Sequence, residues 1–570
     1  MNPDTTLRGN ARMKRILALA LIALGSCISR KGSSDPEDPS AAIFEPSHIV
    51  EVSVTMAPAD WDTLRLQGRS LADIFGGPCL AGPFPSPFTY FPSTVTIDGE
   101  TLTDVAIRKK GFLGSLDEIR PSLKLKFDEY APGRDFHGLN RLTLNNCKQD
   151  PAYIRQALAY QAFTRAGIPS PRCNFAHVVV NGTDFGIFAN VESVDHKFLR
   201  RRYYDDRGNL YAGTLSDFRA QWVNTFDKKT NSDDPDRSDL DAVVAALDAP
   251  DATVLDALAP VLDVDQFITY WATEILIGHW DGYANNTNNF FVYHDPSSGR
   301  FQFLPWGVDG VMNVNQPIPS ATQPISVYAK SALARRLYLL PSTQARYLDT
   351  LRGLLDTAWN ETAILAEIDR MQALITPIAD PTGTKGLAAQ IDTVRAFVNT
   401  RRSDILGELA GGTPAWTQPL SDPPCFDFLG AITGTFTTTY GTLGAINPFA
   451  TGTGTIVNGT VVYTGVGATC GPNTDPLNPG TMVQVLGLRS DGTIDIVVIL
   501  VNSSLAVAGA TVPLDWGAGF AGIWNFNPTT LATTMTGFIF NGSVHFDQAG
   551  AVNGAPVSGS FQGDILKLGP

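Results

Sequence analysis

The sequence predicts an α+β chain: a mostly β segment carrying one prominent helix, then a mostly α segment, then an all-β tail. Three observations predict it. Short runs that alternate apolar and polar residues recur between residues 46 and 192. From residue 240 to residue 410 the apolar residues recur with the period of amphipathic helices. Near residue 412 Gly, Thr, Ser and Val take over and helical periodicity disappears, as in sandwiches and barrels of short strands.

Bulk properties bound the function. A chain of 570 residues exceeds what one hydrophobic core usually supports, so two or three domains are expected. With 44% hydrophobic and 17% charged residues it is a folded protein, not a disordered one. A net charge of −14 argues against general nucleic-acid binding. No internal stretch is long and apolar enough to span a membrane as a helix.

The first 27 residues read as a targeting signal. Arg8, Arg12, Lys14 and Arg15 precede the apolar run 16–24, and the stretch ends in Leu24, Gly25, Ser26 and Cys27. That ending looks like a bacterial lipobox, which implies cleavage before Cys27 and a lipid on its sulfur; ordinary secretion is the alternative. Residues 28–45, rich in Ser, Asp and Pro, are then expected to be a flexible tether. This places the protein in a bacterial cell envelope, periplasmic or on the cell surface. Five cysteines remain, without a CxxC pair, so a cysteine zinc site is not expected. Cys425 and Cys470 can close a bridge in the C-terminal region, and two of Cys79, Cys147 and Cys173 can pair. Connectivity stays open.

Along the chain, residues 46–60 read as a strand and Trp61 begins a short helix. Residues 76–93, rich in Gly and Pro, form a loop. Residues 94–97 and 105–107 make a hairpin around Asp98 and Gly99. Residues 123–127 alternate apolar and cationic, which puts Lys124 and Lys126 on one strand face. Residues 151–167 form the clearest helix, capped by Asp150 and ended by Gly167. A second hairpin turns at Asn181 and Gly182. Residues 213–236 read as a polar loop; its acids Asp233, Asp234, Asp236 and Asp239 lack EF-hand spacing. Helices follow in 240–277, interrupted near Pro250, and again in 326–410.

The chemistry-bearing stretch is HWDGYANNTNNFFVYHDPSSGRFQFLPWGVDG, residues 279–310. Asp281 ends a helical run, where the helix dipole disfavours a carboxylate, so a functional reason is expected. An Asn-rich turn, two strands and a second acid, Asp309, follow. Two carboxylates and an amide at the mouths of paired strands suit divalent-cation and phosphate chemistry; protein kinases use this arrangement. Any one of the Asn residues 285–289 equally suits a plain loop. His279 reads as a structural residue orienting the loop. There is no GxGxxG phosphate loop.

The ordered pieces HIVEVSVTMAPADWDTL, IRKKGF, RPSLKLKF, GLNRLTLNN, IRQALAYQAFTRAGIPSPR, VVVNGTDFGIFANVESVDHKFL, GNLYAG, HWDGYANNTNNFFVY and FLPWGVD together resemble the CotH kinase family of spore-coat proteins, over residues 46–410. The resemblance implies an atypical two-lobed protein-kinase-like domain, with residues 411–570 forming an all-β, sandwich-like domain behind it. It implies binding of ATP with Mg²⁺ or Mn²⁺ and transfer of a phosphoryl group to an extracytoplasmic protein. Asp281 matches the catalytic Asp and Asp309 the metal-binding Asp. Asn289, with Asn286 in reserve, matches the metal-binding Asn. Lys124 or Lys126 is the expected phosphate lysine, with Arg108 and Lys110 beside it. Glu192 and Asp195 fall where a kinase hinge meets adenine and ribose. Two positions depart from the family pattern: Gly307 stands where an acid is common, and Gln156 where Glu is common. These departures, and the appended β region, keep a second reading open: a kinase-like surface or coat-type binding protein without strong catalysis.

Overall fold

Alternation builds the first sheet. In β1 (Ile49–Thr55) Val50, Val52 and Val54 point inward while the residues between them face out. The same period runs through β2 (Phe91–Ile97), β3 (Glu100–Lys110), β4 (Ser122–Lys126), β5 (Arg141–Asn145), β6 (Cys173–Val180) and β7 (Thr183–Val191). These strands close into a barrel in the order β1-β2-β3-β4-β5-β7-β6. All pairs are antiparallel except β1 with β6, the parallel pair that seals it. The inward valines, leucines and phenylalanines make one core. The two expected hairpins are present, with Asp98, Gly99, Asn181 and Gly182 all at positive φ.

The computed structural model describes residues 38–69, 74–75, 79–313, 323–473, 480–514 and 518–568. The targeting signal and its Cys27 lie outside the described residues. The expected tether is in part a docked segment. Ile43 and Phe44 are buried, and Arg172 donates to Asp38 at 2.8 Å and stacks on Phe44 at 4.4 Å. Two apolar residues in that stretch outweigh its polar composition. Among the described residues no helix is long and apolar enough to cross a membrane.

The clearest expected helix is shorter than the sequence suggests. It spans Arg155–Arg165, with residues 151–153 in a turn, and Asp150 accepts from the Arg155 N–H at 2.8 Å from outside the cap position. It packs with the helical body, whose main members are Val264–Leu276, Pro341–Thr357, Glu361–Ala379 and Leu387–Ala410. A small sheet, in the order β11-β10-β8-β9, sits beside them: β8 (Leu210–Gly213), β9 (Asp227–Lys228), β10 (Phe290–Asp295) and β11 (Arg300–Pro305). Residues 213–236 are not one solvated loop. Phe218, Trp222 and Phe226 are buried in this body, and the continuous exposed run is the acidic stretch after residue 230.

The C-terminal strands are β12 (Phe426–Thr439), β13 (Thr453–Asn458), β14 (Tyr463–Asn473), β15 (Gly480–Arg489), β16 (Ile494–Val501), β17 (Thr511–Leu514), β18 (Gly519–Asn527), β19 (Ala532–Ala549) and β20 (Pro556–Leu568). They form one nine-stranded antiparallel sheet, β13-β12-β20-β19-β18-β16-β15-β14, with β17 on β19. This corrects the expected sandwich. A sandwich needs two sheets face to face, whereas here one sheet curls around a single core, and a bridge from Tyr440 to Cys470 brings its two ends together. The disulfide joins Cys79 to Cys425. Cys470 is a buried free thiol, as is Cys147, and Cys173 is also unpaired.

The helical body and the small sheet meet at Phe303. Its ring, fully buried, lies 4.8 Å from Phe267, 5.2 Å from Tyr270, 4.9 Å from Tyr283 and 5.6 Å from Phe290. Truncating it leaves a cavity that these four rings cannot easily collapse into. Phe303→Ala is expected to cost roughly 3–5 kcal/mol, read as a lower denaturant midpoint at unchanged slope.

Candidate active site

A cavity of about 300 Å³ lies where the barrel meets the helical body. Strand alternation supplies its first wall. Leu123 and Leu125 point into the barrel, so Lys124 points out; Ile107 does the same for Arg108 and Lys110. All three cations line the cavity. Register makes the wall crowded: Arg108 stands directly opposite Lys124 in the β3–β4 pair. Like charges so placed repel. Burial pushes the Lys124 ammonium well below its usual pKa, and the neighbouring charges of Arg141, Arg108, Lys110 and Lys229 push the same way. A chain of net charge −14 has concentrated cations at one spot, and a bound anion would relieve their repulsion.

The facing wall carries the two acids. Helix Val264–Leu276 leads into the loop that holds Asp281, and Glu274 ties that loop back. Its buried carboxylate accepts from the N–H groups of Tyr283 (2.8 Å) and Ala284 (3.1 Å) and from the Tyr270 hydroxyl (3.0 Å). Gly282 is required at the contact, since a Cβ there would lie 2.2 Å from Glu274 Oε1. Beyond it Thr287 and Asn289 adopt left-handed backbone, a rare conformation for a β-branched residue. The tight turn wraps three amides around Asp281. Its Oδ1 accepts from Asn286 (2.6 Å) and Asn288 (3.1 Å), and its Oδ2 from Asn289 (2.7 Å). Asp309 sits in the short 3₁₀ turn Val308–Gly310 that follows β11. Burial raises the pKa of both acids. The amides of Asn286 and Asn288 and the nearby His279 partly offset it at Asp281, while the charge of Asp309 adds to it. At Asp309 its own N–H, Lys110 and His279 offset it.

Lys110 faces Asp309. Burial pulls its pKa down to about 8, against the opposing pull of Asp309. Its ammonium donates to Asn145 Oδ1, and Asn145 Nδ2 donates to Gln156 Oε1 at 2.7 Å. Gln156 therefore reaches the lysine through a second amide. Its Nε2 is buried without a hydrogen-bond partner.

The expected residues divide. Asp281, Asp309, Asn289, Arg108, Lys110 and Lys124 come together around the cavity. Lys126 does not; its ammonium pairs with Glu129 at 2.5 Å. Glu192 is taken up by ion pairs with Arg172 and Arg201. Asp195 caps the helix His196–Arg202, accepting from Lys197 N at 3.0 Å. Neither lines the cavity. Asn286 gives its amide N–H to Asp281, so it orients that carboxylate. Sequence reasoning missed Asn145, Asn288, Arg69, Lys229 and the aromatic roof of Phe84 and Phe112. Asn288 stood in the Asn-rich turn; nothing local marked the others.

The donors suit a hard cation. Two carboxylates and the amide oxygen of Asn288, which is buried without a hydrogen-bond partner, share the cavity. Among the described residues no three His, Cys, Asp or Glu side chains gather to hold a metal, so a shell here would be completed by amide, water or phosphate oxygens. Gly307 closes it from below. At φ +56°, its added Cβ would lie 2.2 Å from Asn289 Oδ1. An acidic side chain at this position would displace Asn289.

Comparisons with known proteins follow this geometry. A family model described as CotH kinase protein matches residues 107–405. The inner spore coat protein H of Bacillus subtilis (strain 168) is 27% identical over 191 residues, 32% of this chain and 52% of that protein. Invasin CotH2 of Rhizopus delemar is 24% identical over 216 residues, 34% of this chain and 36% of that one. The chain thus spans about half the length of the first relative and about a third of the second. The crystal structure of a Helicobacter pylori proinflammatory kinase, CtkA, aligns with 57% of this chain and 93% of its own at 8% identity and a TM-score of 0.25, too loose to carry an argument.

Gly307→Ala combines left-handed strain with the clash on Asn289. It is expected to cost about 1–2 kcal/mol from the backbone alone, measured by thermal denaturation, and to lower divalent-cation binding.

Proposed function

The chain belongs to the CotH kinase family, and from that premise we propose that it is an atypical protein kinase of the bacterial cell envelope. The barrel and the helical body correspond to its two lobes. It transfers the γ-phosphate of ATP to a Ser or Thr hydroxyl of an extracytoplasmic protein, from a position anchored through a lipid on Cys27. One observation carries the reading: a single cavity pairs Asp281 and Asp309 with the cationic wall of Arg108, Lys110 and Lys124.

The roles follow from charge. Arg108, Lys110 and Lys124 take the phosphate oxygens, which supply the negative charge the wall lacks. Asp309 with the amide oxygens of Asn288 and Asn289 would hold Mg²⁺ or Mn²⁺. The bound ion would neutralise charge developing on the β- and γ-phosphates. Asp281 orients the acceptor hydroxyl and takes its proton; burial raises its pKa toward the range of a useful base. Catalysis then rests on positioning and electrostatics. A second reading, a kinase-like surface-binding protein of weak or no activity, is favoured by the three amides already bound to Asp281, which leave that carboxylate less capacity to accept a proton.

The test is transfer of label from ATP in Mg²⁺ or Mn²⁺ by the full chain. Asp281→Ala and Asp309→Ala are each expected to lower transfer by about 10²–10⁴-fold. Transfer that persists in both variants sinks the kinase reading; absence of transfer with retained surface binding selects the second.

A pH profile follows from the raised carboxyl pKa values. Protons compete with the cation as pH falls, and the loss begins above the ordinary aspartate range. Above about pH 8 Lys110 loses its charge and phosphate binding weakens. The stabilisation of the protein by ATP with Mg²⁺, followed by melting temperature, is expected to pass through a maximum between these limits.

A further inference from the structure

Part of the roof of the cavity, Phe84 and Arg69, comes from outside the region matched by the family model, while Phe112 lies inside it. Phe84 lies well ahead of residue 107, in a loop with Pro83, Pro85 and Pro87. Prolines donate no backbone N–H, and residues 82–90 form no helix or strand. Side chains and one covalent bond must hold this loop. Cys79 is bonded to Cys425 across 346 residues of chain, just before β12. A line of rings then runs from the C-terminal sheet to the cavity: Phe426 on Phe75 at 5.2 Å, Phe75 on Phe84 at 6.0 Å, and Phe84 on Phe112 at 5.5 Å. Phe84 and Phe112 are cavity walls. Arg69 completes the roof, stacking on Phe112 at 5.2 Å and donating to Pro85 O at 2.6 Å.

The same lead-in is pinned to the opposite wall. Ser421 donates its hydroxyl to Asn285 O at 3.4 Å and its N–H to Lys330 O at 2.9 Å, and accepts from Arg219 at 2.8 Å. Asn285 belongs to the turn that wraps Asp281. Only three residues of chain thus lie between Ser421, in contact with the turn around Asp281, and Cys425, bonded to the roof loop.

We propose that the C-terminal sheet is a positioning module for the nucleotide. Through Cys79–Cys425 and the Phe426–Phe75–Phe84 contacts it holds Phe84 and Phe112 over the cavity, so that the apolar base of ATP meets an ordered aromatic surface. A loop without ladder hydrogen bonds opens at low cost; the disulfide removes most of its open conformations. The inference rests on the nucleotide reading above.

The test uses the full chain, oxidised, beside Cys79→Ser, Cys425→Ser, the double variant and Phe84→Ala. Hydrogen exchange in residues 80–90 is expected to quicken in all three cysteine variants, and the KM for ATP to rise several-fold with kcat within about twofold. Phe84→Ala, which keeps the disulfide, is expected to raise KM alike. Dithiothreitol, oxidised to its cyclic disulfide as the two thiols form, reproduces the effect in the wild type and adds nothing in the double variant. A lower melting temperature with unchanged KM means a merely structural bond and overturns the proposal. A wild type that neither transfers label nor gains melting temperature with ATP overturns the nucleotide reading. Attachment of the roof is then judged on exchange alone, where unchanged protection of residues 80–90 in Cys79→Ser overturns it.

Discussion

The site depends on holding a carboxylate in a place that disfavours its charge. Asp281 follows a helix C-terminus and is largely desolvated in a half-buried position, and both facts work against ionisation. Three asparagine amides offset this by donating to its two oxygens. They can converge only because the chain turns through two left-handed residues, Thr287 and Asn289. That turn is fixed in its place by Glu274, whose own buried charge is shared among two backbone N–H groups and a tyrosine hydroxyl. Gly282 lets the two layers touch. The Glu274 carboxylate is partnered, whereas Asn285 Oδ1, Asn288 Oδ1 and both ring nitrogens of His279 are buried without a hydrogen-bond partner, and Asn288 lines the cavity. An unpartnered buried acceptor is costly in a resting protein and useful where a cation is to be bound.

The opposite wall has the complementary defect. Lys124, Arg108 and Lys110 repel one another, and burial makes the repulsion stronger by removing water. The family departure at Gln156 fits this picture. A glutamate would neutralise Lys110; the relay through Asn145 orients the lysine and leaves its charge for a ligand. The departure at Gly307 has a steric cause, since Asn289 occupies the space of a side chain. Neither change is simply the loss of an acid.

What was legible in the sequence is what local periodicity encodes. The two hairpin turns at Asp98 and Asn181, the outward pair Lys124 and Lys126, the helices after residue 240 and the shift to strands near residue 412 all follow from spacing and turn chemistry. Asp281 and Asp309 stood out because each sits at an element end, where a charge has no local reason to be. The misplaced residues were those already claimed by partners outside the cavity, near or far in sequence. Glu192 is claimed by Arg172 and Arg201, and Lys126 by Glu129; Asp195 turned to cap a helix.

By itself the sequence determined the order of β, α and β regions, the strand faces and the two acids. Only the tertiary structure decided that the first strands close into a barrel through the parallel β1–β6 pair, and that the last nine curl as one sheet. It alone joined Cys79 to Cys425 and brought Phe84 over the cavity. The physical reason is range. Periodicity records which face of an element is buried, but the parallel pairing of β1 with β6 and the disulfide between residues 346 positions apart join segments whose proximity no local pattern carries.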